Sequence, residues 1–160
     1  MVRTETTNRE KVMNRLRVYI AAGWFNPTAA DSLSQLETLL EELDFNVASP
    51  RKIFVCPPTA SEDVQQNTFD GNLREIENSD FILSNSTGGF DTGTVWESGY
   101  AYANNVPIVY FCQGLKGNFN LMLSRSGVKV CTSYEQLREY LTRVQSEGKV
   151  ITEMYKGVIE

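Results

Sequence analysis

The chain has 160 residues and not one histidine. That absence removes Ser-His-Asp and Cys-His catalysis, histidine phosphorylation and histidine-ligated zinc together. Any proton transfer or nucleophilic attack must rest on carboxylates, tyrosines, lysines or cysteines. Cysteine is itself scarce: Cys56, Cys112 and Cys131 are odd in number, scattered and without CxxC spacing. Two of them lie in apolar strand-like runs and read as buried thiols, which fits a reducing cytoplasm, and no metal site is expected. Positive charge is in deficit too, with 15 Lys and Arg against 20 Asp and Glu. This argues against an extended surface for nucleic acid, although a small neutral or cationic ligand, or one phosphate held by local donors, remains open. The longest apolar runs, such as Val106 to Cys112, are too short to span a bilayer. The opening "MVRTETTNREKVMNRLR" is too polar for a secretory signal. The expected location is the cytoplasm, with no membrane partner.

What is present is an alternation of short apolar strands and amphipathic helices, enough for one domain over 17–160 behind a polar extension over 1–16. The extension reads as loosely ordered or as a short helix. "RVYIAA" is a first strand ending in the turn "GWFNP", and "TAADSLSQLETLLEEL" places Leu33, Leu36, Leu39, Leu40 and Leu43 on one helical stripe. "FNVAS" is a second strand, followed by an irregular loop, "PRKIFVCPPTA". "SEDVQQNTFDGNLREIENS" reads as helical through its second half, where Leu73 and Ile76 face inward and Gly71 weakens the helix. "DFILSN", "PIVYFC" and "VKVC" supply three more strands. "TGTVWESGYAYANN" and "SYEQLREYLTRVQSE" are helices, "GLKGNFNLMLSRSG" is a loop with one helical turn, and the tail "KVITEMYKGVIE" has the composition of a packed segment. The fold class is α/β: a flavodoxin-like five-stranded parallel sheet, order 2-1-3-4-5, with helices on both faces. Ligands in such sheets bind at the carboxyl ends of the strands near the switch in strand order. That brings Tyr19, Asp91 and Glu97 towards one crevice.

Glu97 admits two readings. Thr94-x-x-Glu97 fits a capping box, as Ser133-x-x-Gln136 does where no function is needed. Alternatively, Glu97 is a carboxylate kept ionised by a helix N-terminus and usable as a nucleophile. Gly93 and Gly99 bracket it and allow close approach by a ligand, and Asp91 adds a second carboxylate. Two carboxylates with neither histidine nor metal is the equipment of glycosidic-bond chemistry. Trp24 and Phe25 in the first turn are either core or a stacking surface for a base. Arg51 and Lys52 are either solvated or a phosphate clamp.

From Arg17 onward the chain resembles the nucleoside 2-deoxyribosyltransferases. "VYIAAGWFNP" is similar to the family's first strand and turn, "DTGTVWESGYA" to its nucleophile motif, "NFNLML" to the segment that completes a neighbouring subunit's site, and "MYKGVIE" to its C-terminal end. The resemblance implies exchange of nucleobases on 2-deoxyribose without a cofactor. Glu97 would be the nucleophile, Tyr19 would orient it, and Asp91 would serve a sugar hydroxyl or the base. Gly23, Trp24, Phe25, Arg51, Asn72 and Gly93 would line the substrate. Asn120 and Met122 would reach a neighbour's site in a homohexamer or other homo-oligomer, and the carboxylate of Glu160 would meet the sugar's 5′ side. Asn72 stands where the family commonly has aspartate, and an amide cannot supply a proton to a departing base. Two other readings remain open: a nucleoside 5′-monophosphate N-glycosidase using water, and a non-catalytic nucleotide-binding module.

Overall fold

The computed structural model describes residues 15–160, so the expected N-terminal extension lies outside the described residues up to residue 14. Five strands form one sheet: β1 (Arg17–Ala21), β2 (Asn46–Ala48), β3 (Phe81–Asn85), β4 (Ile108–Phe111) and β5 (Lys129–Cys131). All pairings are parallel and the order is β2-β1-β3-β4-β5, as expected. Both faces are covered, so the strands read as continuous apolar runs rather than alternating ones. Val18 and Ile20 of β1 pack on one face with Leu33, Leu36, Leu39 and Leu40 of α1 (Pro27–Glu42) and with Leu137, Leu141 and Val144 of α6 (Tyr134–Glu147). Tyr19 and Ala21 face the other way, towards Ile76 of α3 (Glu62–Glu77) and Ala101 of α4 (Thr92–Ala103). Among the described residues no helix is long and apolar enough to cross a membrane.

Two segments differ from expectation, each for a local reason. Pro50 opens a single helical turn, α2 (Pro50–Ile53), where an irregular loop was expected. Proline is favoured at a first helical position because its fixed φ suits the helix and its missing N–H is not needed there. Helix α3 runs through the whole of Glu62–Glu77, not only its second half. Ser61 caps it by accepting from the Val64 amide, and Glu62 and Asp63 oppose the helix dipole in its first turn. The loop after β4 carries a helix, α5 (Leu121–Ser126), capped by Asn120. The C-terminal tail packs, as its composition implies. The Tyr140 hydroxyl donates to the Ile151 carbonyl at 2.6 Å, the Glu153 amide donates to Val128, and Ile159 bridges to Phe119.

Gly71 is not a weak point in α3 but a requirement of its packing. A Cβ there would lie 2.5 Å from the ring of Phe54, so the ring rests directly on the helix backbone. Gly71→Ala would gain about 1 kcal/mol of helix propensity, yet overpacking costs about 1–3 kcal/mol. We expect net destabilisation in urea unfolding, reversed when Phe54→Leu is added. A stabilised Gly71→Ala protein would contradict the packing account.

Candidate active site

Asp91, not Thr94, caps α4. Its carboxylate accepts from the Thr94 amide at 3.1 Å, which puts Glu97 in the second turn of the helix rather than at its mouth. The capping-box reading of Thr94 and Glu97 is therefore replaced: Glu97 has no part in the cap. The second such motif does cap its helix, with the Ser133 hydroxyl accepting from the Gln136 amide at 3.2 Å.

Glu97 instead turns towards the sheet and accepts a hydrogen bond from the Tyr19 hydroxyl, from a strand 78 positions earlier in sequence. Burial is the largest influence on Glu97 and pushes its carboxyl up to about 7; the Tyr19 bond pulls the other way, and the Asp91 charge adds to the rise. The expected ionisation by a helix N-terminus is thus corrected. The dipole effect fades beyond the first turn, and desolvation dominates in the second. Tyr19 is wholly buried, and its phenol is pushed well above its ordinary range, first by that burial and then by the Glu97 carboxylate. Tyr19 therefore serves as a fixed neutral donor, not as an acid.

Glycines shape the space around Asp91, which neither Tyr19 nor Glu97 lines. A Cβ on Gly23 would lie 2.9 Å from the Asp91 Cβ, and one on Gly93 would lie 3.0 Å from Asp91 Oδ2. The β1 turn and the start of α4 thus close around Asp91 as tightly as backbone allows. Asp91, Gly23 and Phe25 line a cavity of about 180 Å³ together with Asn85 and Thr87, whose hydroxyl is buried without a partner. Trp24 and Phe25 are not core; they are exposed and stacked on each other at 5.2 Å. Asn120 and Glu160 line an adjoining cavity of about 340 Å³ that shares Gly89 and Phe90 with the first. The Asn120 side-chain oxygen accepts from the Met122 and Leu123 amides, and the Glu160 main-chain oxygen accepts from Leu121.

Other expected site residues lie elsewhere. Met122 is 75% exposed and borders an apolar groove with Val95, Gly99, Tyr102 and Leu121. Arg51 is held by Glu37, with contacts of 3.0 and 2.7 Å, and by Ser34 at 2.9 Å. Lys52 also pairs with Glu37, at 3.3 Å. Burial alone would raise the Glu37 carboxyl, but Arg51, Ser49 and Lys52 hold it below its usual range. The basic pair therefore anchors α2 to α1 and is not a free phosphate clamp. Asn72 sits on α3, and its side-chain oxygen is buried with no partner. Sequence reasoning missed Asn85 and Thr87; both stand at the end of β3, where strand-end position was the available signal. Among the described residues no cluster of three acidic or sulfur ligands could hold a metal.

A family model for nucleoside 2-deoxyribosyltransferases matches residues 18–154. No curated protein matches the chain. Among solved structures, the 2-deoxyribosyltransferase of the psychrotolerant bacterium Bacillus psychrosaccharolyticus is similar at a TM-score of 0.73 and 23% identity, covering 88% of this chain and 99% of that one. A conserved protein from Enterococcus faecalis V583 follows at 0.66 and 19%, covering 81% and 98%. The CMP N-glycosidase of Clostridium botulinum stands at 0.53 and 17%, also covering 81% and 98%. At these identities the three structures speak for the fold alone.

The Glu97 environment has a thermodynamic signature. The folded chain holds this proton more tightly than the unfolded one, so the stabilisation is complete below the ordinary value of 4.5 and is lost as pH rises through about 7. Glu97→Gln has no proton to lose. Relative to that variant, the wild type should lose on the order of 3 kcal/mol between pH 4 and pH 8, read by urea unfolding at each pH. A difference that does not vary with pH would refute the desolvated carboxyl.

Proposed function

Because the chain belongs to the nucleoside 2-deoxyribosyltransferase family, we propose that it moves 2-deoxyribose from one nucleobase to another through an ester on Glu97. The observation that carries this reading is the Glu97 carboxyl, half-buried, bonded to the Tyr19 hydroxyl and titrating near neutrality beside Asp91. A raised pKa makes a carboxylate oxygen more basic, while the Tyr19 bond fixes its direction. Near neutral pH a substantial fraction is ionised and ready to attack.

In the first step a Glu97 oxygen bonds to the anomeric carbon as the glycosidic C–N bond breaks, and that electron pair leaves with the base. In the second, a nitrogen of the incoming base bonds to the same carbon and gives up its N–H proton while the ester C–O bond breaks, restoring the carboxylate; that proton passes to solvent and offsets the one the departed base takes up. Two inversions retain the configuration. The transition state is cation-like at the anomeric carbon, and a sugar without an electron-withdrawing 2′-hydroxyl reaches it more easily. One oxygen of Asp91 is committed to the Thr94 amide, leaving the other for a sugar hydroxyl. The Asn72 amide, buried away from both cavities, offers no proton to the departing base. Phe25 and Trp24 offer a stacking face.

The 5′ side favours an unphosphorylated sugar. Asp91 and Glu160 border the two joined cavities, while Arg51 and Lys52 are engaged by Glu37. A nucleoside is therefore preferred to its monophosphate, and transfer to a base is preferred to the hydrolytic reading. We further propose a homo-oligomer, a hexamer in the form the family resemblance suggests, because Met122, Leu121, Val95 and Tyr102 leave an apolar groove uncovered.

Thymidine incubated with adenine should yield deoxyadenosine and thymine. Glu97→Ala should reduce the rate by a factor of about 10³ or more, and kcat/KM should rise with pH through about 7, since the ionised form attacks. Mass spectrometry of the quenched enzyme should place a deoxyribosyl adduct on Glu97. Free base without exchange product would instead favour hydrolysis, and no turnover on any base pairing would end the enzymatic reading. Light scattering at micromolar concentration should find an oligomer; a monomer would remove the shared-site expectation for Asn120 and Met122.

A further inference from the structure

Strand β3 is apolar except at its carboxyl end, where Ser84 and Asn85 are both buried. Alternation along the strand sends them to opposite faces of the sheet. Asn85 meets Ser32 of α1 at 3.1 Å, and Ser84 meets Ser98 of α4 at 2.9 Å. Both serines of the second pair are wholly buried, so each hydroxyl needs a partner inside the protein. The bond between them has a direction. Ser98 has one hydroxyl proton and gives it to the Thr94 carbonyl at 2.8 Å, so Ser84 is the donor to Ser98. Thr94 in turn donates its amide to the Asp91 carboxylate at 3.1 Å. One buried hydroxyl of β3 is thus joined to the turn over 94–98, which contains Glu97 and is capped by Asp91.

Glu97 and Ser98 are consecutive on α4 and bond to adjacent strands. Glu97 accepts from Tyr19 of β1, and Ser98 accepts from Ser84 of β3. The two strands are paired, with Tyr19 opposite Ile82 and Ala21 opposite Ser84. The helix is therefore tied to the sheet at two points, one on each strand. The first tie is to the reactive group itself. Once a Glu97 oxygen is bonded to a sugar, the carboxylate charge is gone and its bond from Tyr19 weakens. The Ser84–Ser98 tie takes no part in the chemistry and keeps its strength throughout.

Resting on the function proposed above, we infer that Ser84 is a positioning residue whose hydroxyl, through Ser98, fixes α4 on β3 and so keeps Glu97 facing Tyr19. Wholly buried, it reaches no substrate. Its effect belongs to the geometry of attack, where small displacements cost rate more than binding.

Ser84→Ala removes the donor, and Ser98→Ala removes the acceptor. For thymidine–adenine exchange each should lose about tenfold in kcat with KM within about twofold of wild type. Ser98→Ala also leaves the Ser84 hydroxyl without its acceptor. The double variant should therefore unfold at a higher urea concentration than Ser98→Ala, yet regain none of the rate. Glu97 reports the geometry directly. The Tyr19 bond holds its carboxyl down while burial and Asp91 push it up, and Glu75 adds to the rise of the Tyr19 phenol. In Ser84→Ala a slackened Tyr19 bond should raise the Glu97 midpoint by about half a pH unit or more. The midpoint is read from urea unfolding at each pH, against the same variant carrying Glu97→Gln. Wild-type kcat in both single variants, rate returning with stability in the double variant, or a midpoint that stays or falls would each overturn the inference. If the wild-type protein itself transfers no sugar, the proposed function fails, while the Glu97 midpoint still decides whether Ser84 positions it.

Discussion

A carboxylate removed from water must find a partner or take up a proton, and Glu97 is arranged between these outcomes. Its partner is a neutral phenol, which orients the side chain and offsets only part of the desolvation. That pairing needs a strand near residue 19 and a helix near residue 97 side by side. The 2-1-3-4-5 order supplies this, because β1 lies against β3 and the loop after β3 leads directly into α4. The glycines at 23 and 93 then let the two backbones close around Asp91.

The protein holds a second withdrawn glutamate, and the contrast is instructive. Glu37 is almost wholly buried yet held below its ordinary value, because Arg51, Ser49 and Lys52 surround it. Among the described residues Glu97 has no cation beside it, and it titrates near neutrality. The same side chain anchors two helices in one setting and is held near neutrality in the other. Partner charge, more than depth of burial, separates the two roles.

The rest of the site is assembled by indirect support. Asn120 spends its side-chain oxygen on capping α5, and the tail returns to that helix through Phe119 and Leu121. Glu153 steadies the returning tail through Lys129 at 3.1 Å and Arg143 at 2.6 Å. These contacts bring the Asn120 and Glu160 cavity against the Asp91 cavity without any residue common to the two motifs in sequence.

Strand order, helix faces and the helix that carries Glu97 were legible from local patterns. Apolar runs of strand length, a leucine stripe at helical spacing and turn residues are each written within a few adjacent positions. Family motifs extended that reading to Tyr19 and Asp91. Contacts between distant segments were not legible. Nothing near Thr94 shows that Asp91 takes the cap; nothing near Arg51 reveals Glu37 across two elements; and Gly71 looks like a weakness until Phe54 rests on it. The pKa of Glu97 belongs to the same class, since burial is a sum over neighbours from every part of the chain. Local sequence determined which elements form and in what order, while tertiary packing decided which charges meet partners and which are left to react.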